Sequence, residues 1–233
     1  MYKKIVVLTG AGISQESGLK TFRGSDGLWE GHRIEEVASP VGFENDPLMV
    51  WDFYNQRRRQ LLCDEVDYNN AHKSLAEFEK NFCGDFLLVT QNVDDLHERS
   101  GSQNVLHMHG ELLKARCLDT SRVYDWTEDL GEKTSHPDFP EKVGRLRPHI
   151  VWFGEMPLHM DKISQALKQC DLFISIGTSA QVYPAAGFVS MTSRSCHRVE
   201  LNLEDTPSSM IFDETHRGLA TEVVSNYFKD LLS

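Results

Sequence analysis

The fold of this chain is decided by one stretch near its start, Leu8-Thr9-Gly10-Ala11-Gly12-Ile13-Ser14-Gln15-Glu16-Ser17-Gly18. The β-favouring residues Ile5 to Thr9 enter a glycine-rich turn there, and the turn opens a short helix pattern. Glycines at such a junction let the backbone turn sharply and approach a ligand closely, and the N–H groups at a helix N-terminus attract an anion such as a pyrophosphate. The stretch therefore predicts a nucleotide-phosphate site, with a purely structural strand-to-helix turn as the alternative.

The composition is that of a globular protein with a substantial core. Hydrophobic residues make up 40% of the 233 residues and charged residues 25%. No apolar stretch approaches the ~20 residues that a membrane span needs, and the run from Ile5 to Leu8 is too short for a secretory signal. The net charge of −11 argues against a broad nucleic-acid-binding surface, although Arg57-Arg58-Arg59 is a local basic run. We therefore expect a protein that binds neither membrane nor nucleic acid. We also expect a monomer.

The cysteines indicate a reduced compartment. Their number is odd, and no two of them form a Cys-x-x-Cys pair. Such a set gives no disulfide framework, which favours a cytoplasmic location. The five cysteines are Cys63, Cys83, Cys117, Cys170 and Cys196.

Apolar runs alternate with helical patterns along most of the chain. Phe86–Thr90 and Leu172–Ile176 are typical of buried parallel strands, and Pro47 begins a helix that is predicted to reach about Cys63. Another strand is predicted at Ile150–Phe153. Further elements are predicted at His72–Asn81, Val105–Met108, Leu158–Gln169, Pro184–Met191, Val199–Asn202 and Leu219–Leu232. The alternation predicts an α/β fold with a doubly wound, parallel, Rossmann-like sheet.

Between Cys117 and Arg147 the periodic pattern weakens, and Asp, Glu, Thr, Pro and Gly become frequent. We interpret this interval as part of a smaller inserted module within a single catalytic domain, 1–233. The predicted nucleotide-binding part comprises 1–30, 70–112 and 150–233, and the predicted small module comprises 31–69 and 113–149.

Three of the predicted strands end in small or polar residues. They are followed by Thr90-Gln91-Asn92-Val93-Asp94, Ile176-Gly177-Thr178-Ser179 and Leu201-Asn202-Leu203-Glu204. Ligands of open α/β sheets bind at the carboxyl ends of the strands, so these segments and the glycine-rich turn predict one nucleotide pocket.

The glycine pattern argues against a nicotinamide-dependent dehydrogenase. Gly10, Gly12 and Gly18 give G-x-G-x5-G, because Gln15 stands where the third glycine of the dehydrogenase fingerprint belongs. The next clear strand, at Phe86, comes too late to supply a ribose-binding acid about 20 residues after the glycines. A P-loop is excluded because no Gly-Lys-Ser/Thr follows.

Six motifs, in order along the chain, carry a resemblance to a known family. They are Gly10-Ala11-Gly12-Ile13-Ser14 with Ser17-Gly18 and Phe22-Arg23, Gln91-Asn92-Val93-Asp94, His107-Met108-His109-Gly110, Phe153-Gly154-Glu155, Gly177-Thr178-Ser179, and Asn202-Leu203. Together they resemble the sirtuins, which are NAD-dependent protein deacylases, and the likeness is to the bacterial class III type. It extends from Gly10 to about Ala220.

The resemblance implies that NAD+ is consumed as a co-substrate. Asn92 and Asp94 would orient the nicotinamide and its ribose while the acyl oxygen of a substrate lysine attacks C1′, releasing nicotinamide and finally O-acyl-ADP-ribose. His109 would be the general base, because the family base directly precedes a glycine, and His107 would be structural. The residues implied to bind NAD+ are Gly10, Ala11, Gly12, Ile13, Ser14, Gly18, Phe22, Arg23, Trp29, Gln91, Asn92, Val93, Asp94, Gly177, Thr178, Ser179, Asn202, Leu203, Glu204 and Ala220.

The same resemblance indicates which acyl group is removed. Tyr54 and Arg57 lie three residues apart on one predicted helix and resemble the class III Tyr-x-x-Arg motif, in which a guanidinium and a phenol suit the carboxylate of a succinyl or malonyl chain. The alternative is that Arg57 belongs to a solvated basic run with Arg58 and Arg59. The peptide of the acylated protein substrate is expected to lie extended between two segments. Those segments are represented by Val151, Phe153, Gly154 and Glu155 on one side and Val182 and Tyr183 on the other.

The chain departs from the family pattern at the structural zinc site. Sirtuins usually hold zinc with two cysteine pairs, whereas this chain keeps only Cys117 in that interval, with His136 as the other soft ligand. Two ligands do not complete a tetrahedral site, so we predict no zinc. The module is expected to be held by the apolar packing of Val123, Trp126, Leu130 and Phe139.

Two other functions stay open on the sequence. One is a protein ADP-ribosyltransferase, in which a different nucleophile attacks C1′ at the same NAD+ site. The other is a non-catalytic NAD or ADP-ribose binding module, which the joint presence of Asn92, Asp94 and His109 disfavours.

Overall fold

The structure, a computed structural model, describes residues 2–19, 28–29 (backbone) and 31–232. It divides into two compact units. Unit 1 comprises Met1–Thr21, Asp67–Met108 and His159–Ser233, and unit 2 comprises Phe22–Val66 and His109–Leu158. Within the described ranges, no helix is long and apolar enough to cross a membrane.

Unit 1 is built on a parallel sheet. Its strands, numbered along the whole chain, are β1 (Lys4–Thr9), β4 (Asp85–Thr90), β5 (Val105–His107), β9 (Leu172–Ile176), β10 (His197–Asn202) and β11 (Glu214–Arg217). They lie in the order β11-β10-β9-β1-β4-β5, and all neighbouring pairs are parallel. The chain winds outward from β1 in both directions, so the predicted doubly wound sheet is confirmed and its switch point lies between β1 and β9.

Helices cover both faces of this sheet. They are α4 (Asn70–Asn81), α5 (Leu96–Ser100), α6 (Met160–Gln169), α7 (Phe188–Met191) and α8 (Ala220–Leu232), with 3-10 helices at Ala11–Ser17, Ala185–Gly187 and Ser209–Ile211. Because successive strand residues face opposite sides, Val7 packs in a cluster with Phe78 of α4 and Phe228 of α8. Its neighbour Leu8 packs in a second cluster, with Leu167 of α6.

Unit 2 contains helices and antiparallel strands. The helices are α1 (Ile34–Val37), α2 (Pro40–Asn45) and α3 (Pro47–Leu61); β2 (Leu28–Trp29) pairs with β3 (His32–Arg33), and β6 (Gly110–Cys117) lies between β7 (Val123–Asp125) and β8 (Leu146–Ile150). Helix α3 begins at Pro47 as predicted, because the Asp46 side chain accepts a hydrogen bond from Met49 N (3.0 Å). It ends two residues before the predicted Cys63.

One strand prediction was wrong. The strand expected at Ile150–Phe153 lies at Leu146–Ile150, where it pairs with β6 in the small antiparallel sheet. Beyond Ile150 the apolar run continues into a loop, and its residue Trp152 is buried, at 2% exposure.

The β7 region of unit 2 is held together differently from the prediction. Leu130 is buried, but Val123 and Phe139 are 38% and 46% exposed, so apolar packing of these two residues does not hold the region. Asp138 instead accepts hydrogen bonds from Tyr124 Oη (2.6 Å) and Arg122 (2.9 Å). Polar pairs of this kind are not visible in an apolar pattern, which explains the error.

Candidate active site

The glycine-rich turn lies at the switch point of the sheet in unit 1. Gly10 N donates to Ile176 O (3.0 Å) and Gly12 N to Gly177 O (2.9 Å), so the turn after β1 is bonded to the end of β9. A Cβ on Gly12 would lie 2.7 Å from Gly177 Cα, and one on Gly177 would lie 2.6 Å from Ile13 N. The glycines are therefore required by backbone packing at the switch point, whether or not a ligand is bound.

Three predicted NAD+ residues meet beside this turn. Asn92 Nδ2 donates to Gly10 O (3.2 Å) and Ser14 Oγ (3.1 Å), and the Ser14 hydroxyl donates to Asp94 Oδ2 (3.1 Å). Each of the three residues is at most 7% exposed. These side chains are up to 80 residues apart in the sequence, and they meet because each follows a strand of the parallel sheet.

The directions of these hydrogen bonds follow from His72. Asn69 N–H points at His72 Nδ1 (3.3 Å), so Nδ1 accepts and the ring proton lies on Nε2, which faces Ser14 Oγ (3.4 Å). Burial lowers the pKa of His72 to about 4, so the ring is neutral at pH 7. The Ser14 hydroxyl therefore accepts hydrogen bonds from His72 and Asn92 and donates one to Asp94.

Asp94 is a strongly perturbed carboxyl group. Burial raises the pKa of Asp94 to about 6, against the opposing effects of the hydrogen bonds from Leu96 N (3.3 Å) and Ser14 and of the charge of His107. A buried carboxylate with raised pKa beside a phosphate-type turn is typical of a functional site.

His107 is held on both sides. Its Nδ1 faces Asn92 O (3.2 Å) and its Nε2 faces Glu98 Oε1 (2.8 Å). Both partners are acceptors, so the ring satisfies both only as an imidazolium. This geometry suits the predicted structural role, since His107 fixes the backbone of Asn92.

The other two strand ends are also joined in unit 1. Asn202 Nδ2 donates to Thr178 O (2.7 Å), and Gly177 N donates to Leu201 O (3.0 Å), while Ser179, Leu203 and Glu204 are exposed. The Glu16 carboxylate accepts from Thr221 N (3.0 Å) and Thr221 Oγ1 (2.7 Å) at the start of α8, next to Ala220. Two predicted NAD+ residues, Phe22 and Arg23, and the side chain of Trp29 lie outside the described residues.

In unit 2, His109 immediately precedes a position that only glycine can fill. Gly110 has φ +84°, and a Cβ there would lie 2.1 Å from His149 O. His109 O accepts from Val151 N (2.8 Å), and its side chain is half-buried. The pairing of β6 with β8 thus explains why the predicted base precedes glycine.

The predicted acyl-recognition pair lies on α3. The Arg57 guanidinium stacks on the Phe53 ring at 3.3 Å and donates to Phe53 O (2.6 Å), and Tyr54 is fully buried. The solvated-run alternative does not describe this helix, because Arg58 is 0% exposed and donates to Leu112 O (3.1 Å) and Asn55 Oδ1 (2.9 Å). Arg59 forms an exposed ion pair with Asp129.

The segment predicted to bind the peptide is hydrogen-bonded to other parts of unit 2. Val151 N donates to His109 O (2.8 Å) and Phe153 N to Ala38 O (2.9 Å). The Glu155 carboxylate forms two hydrogen bonds with Arg147 (2.8 and 2.9 Å). The N–H groups of Val151 and Phe153 are therefore engaged within unit 2, and Glu155 holds the loop. Val182 and Tyr183, predicted for the opposite side of the peptide, belong to unit 1, where Tyr183 is 79% exposed.

A family model described as the Sir2 family matches residues 10–184. The chain belongs to the Sir2 family. It is 56% identical over 224 residues to an NAD-dependent protein deacylase of Rhodopirellula baltica (93% of this chain, 94% of that protein) and 56% identical over 231 residues to one of Pasteurella multocida (98% of each). A crystal structure of a Sir2 homologue in complex with NAD is 38% identical, with a TM-score of 0.88 over 100% of this chain and 91% of the other.

In this Sir2-family chain, the interval in which the resemblance implied a zinc site contains Cys117 and His136 as soft ligands. Within the described ranges, no group of three or more His, Cys, Asp or Glu residues could hold a metal ion. Cys117 is buried, and burial raises the pKa of its thiol, but the neighbouring polar groups of Thr120, Asp119 and His136 outweigh burial and lower that pKa to about 7. The residues present do not fit a tetrahedral zinc site.

Sequence reasoning missed several residues of this Sir2-family site. His72 reads as an ordinary helix residue, although its place three residues after the capping Asn69 is a weak signal. Trp152 carries no signal of its own, because its partner Tyr54 lies 98 residues away in the sequence.

Proposed function

We propose that the protein removes succinyl and malonyl groups, and also acetyl groups, from lysine side chains of proteins, consuming NAD+ and releasing nicotinamide and O-acyl-ADP-ribose. The coarser activity, NAD-dependent protein deacylation, is that of the Sir2-family relatives named above. The preference for acidic acyl groups rests on one observation, the Tyr54 and Arg57 pair on α3.

Tyr54 and Arg57 both lie next to the Phe53 ring on α3, Tyr54 with its ring 5.1 Å away and Arg57 with its guanidinium 3.3 Å away. Burial raises the pKa of Tyr54, so the phenol stays protonated and can donate a hydrogen bond. The Arg57 guanidinium is a planar fork of N–H donors whose geometry matches a carboxylate. A donor and a cation one helical turn apart suit the terminal carboxylate of a succinyl or malonyl chain.

In the proposed reaction each unit supplies its own groups. The NAD+ phosphates take the turn at Gly10 to Ser14, and Asn92 and Asp94 orient the nicotinamide riboside end. The hydrogen-bonded chain from His72 through Ser14 keeps Asp94 an acceptor for a ribose hydroxyl. His109 acts as the general base toward the ribose hydroxyls.

The acyl preference is tested by combining Tyr54→Phe with Arg57→Met. The double variant removes the donor and the cation, and it retains the ring and the aliphatic stem. We expect kcat/KM for succinyl-lysine peptide to fall about a hundredfold or more, since two contacts to a charged group are lost, each contributing about 1.5–3 kcal/mol. Deacetylation should be retained. Equal losses on both substrates, or none, would contradict the acid-recognition role.

The reaction class is tested by product analysis. The protein is incubated with NAD+ and acetyl-, succinyl- and malonyl-lysine peptides, and the products are followed by mass spectrometry. O-acyl-ADP-ribose supports the deacylase. ADP-ribosylated protein would instead identify a transferase, and unchanged NAD+ a binding module.

A further inference from the structure

The Tyr54 phenol accepts a hydrogen bond from a tryptophan of unit 2. Trp152 Nε1 lies 3.0 Å from Tyr54 Oη, and both side chains are buried, at 2% and 0% exposure. An indole N–H can only donate, so the phenol oxygen is the acceptor in this bond. The phenol's own hydrogen is therefore directed away from Trp152.

Trp152 is itself fixed by an ion pair. The Arg147 guanidinium lies over the indole, 3.4 Å from the ring centroid, and Phe43 packs against the indole at 5.3 Å. Arg147 bonds both oxygens of Glu155, and Glu155 also accepts from Trp152 N (2.8 Å). The indole thus has one orientation, set by its backbone on one side and by a stacked cation on the other.

From this geometry we propose that Trp152 is a specificity-determining positioning residue. By donating to Tyr54, it makes the phenol a hydrogen-bond donor toward the carboxylate of an acidic acyl group. The inference rests on the proposed function, because it assigns a second residue to the same acyl selection. An acetyl group has no carboxylate, so deacetylation does not depend on this hydrogen bond.

The test variant is Trp152→Phe, which keeps an aromatic ring under Arg147 and removes the N–H. With the full chain, kcat/KM is measured for succinyl- and acetyl-lysine forms of one peptide. We expect the succinyl-to-acetyl ratio to fall about five- to tenfold, the effect of one hydrogen bond, and the loss to lie mainly in KM for the succinyl peptide. Equal losses on both substrates, or an unchanged ratio, would overturn the proposal.

Trp51→Phe is the matched control. Trp51 is also buried and donates its indole N–H to Leu146 O (2.9 Å), and it also contacts Phe43 (5.4 Å). The control therefore loses the same group from the same unit, but the hydrogen bond that it loses is to Leu146 and not to Tyr54, so its succinyl-to-acetyl ratio should equal that of the wild type. A matching fall in Trp51→Phe would attribute the effect to general loosening and refute the role of Trp152.

A double-mutant cycle separates this inference from the proposed function. If Trp152 acts through the phenol, Trp152→Phe should change the ratio no further once Tyr54→Phe is present. An unchanged ratio in Tyr54→Phe alone would refute the role of Tyr54 itself, whereas additive effects would refute only the link. If Trp152→Phe does not fold, 3-benzothienylalanine at position 152 replaces the N–H by sulfur in a ring of nearly the same shape, with the same expected outcome.

Discussion

At the scale of single residues, the candidate site contains a carboxylate, Asp94, whose ionisation is disfavoured by burial. Asp94 is 7% exposed and its pKa is raised to about 6 by burial, yet both of its oxygens accept hydrogen bonds, from Ser14 and from Leu96 N. These donors favour the ionised form, and burial opposes it more strongly. A group held in this way is ready to accept a hydrogen bond from a ligand, at the expense of the stability of the empty protein.

The burial of ionised Asp94 predicts that the difference in the free energy of unfolding between the wild type and Asp94→Asn depends on pH. The folded-state pKa of about 6 exceeds the unfolded value, so the penalty is absent below pH ~4 and grows as pH rises through about 6. Two pKa units correspond to roughly 3 kcal/mol at most. Urea unfolding from pH 4 to 7.5 should show the wild type losing stability relative to Asp94→Asn as pH rises. A constant difference across that range would contradict the assignment.

At the scale of elements, sequence patterns predicted what is periodic and local. The strand Leu172–Ile176 was predicted with its observed bounds, and α4 begins two residues before its predicted start. The strand Glu214–Arg217 was missed because an edge strand of polar residues has no apolar run, and β6 because a bulge between Glu111 and Ala115 interrupts its alternation.

In the candidate site, too, some contacts could be predicted from the sequence and others could not. The meeting of Ser14, Asn92 and Asp94 follows from the rule for strand ends, which needs no knowledge of packing. The bond between Tyr54 and Trp152 joins positions 98 residues apart, in a helix and a loop, so no periodicity predicts it. Such a contact is decided only when the core of unit 2 forms.

The interlocked turn predicts a large cost for Gly177→Ala. The position has φ +60°, and the added Cβ would lie 2.6 Å from Ile13 N, so β9 and the turn after β1 must separate. We expect a loss of about 3 kcal/mol in the free energy of unfolding. Gly187→Ala is the control in the same unit, since its Cβ would lie no closer than 3.5 Å to the Tyr183 ring. Similar denaturation midpoints for the two variants would refute the interlock.

At the scale of the whole chain, the prediction that no zinc is bound raises the question of what stabilises the small module. Burial raises the pKa of the Cys117 thiol, and the polar groups of Thr120, Asp119 and His136 around it lower that pKa to about 7. Salt bridges join Arg145 to Asp119 and Arg122 to Asp138 across the same region. Each end of the region is therefore fixed by protein groups.

We therefore expect the purified chain to hold no stoichiometric zinc and to keep its melting temperature in EDTA. A structural zinc contributes folding energy directly, so its removal would lower the melting temperature by several degrees or more. Elemental analysis after dialysis measures the first outcome and calorimetric melting with and without chelator the second. One zinc per chain would overturn the prediction. In that case Cys117→Ser should release the metal, whereas Cys83→Ser, an exposed cysteine of unit 1, should not.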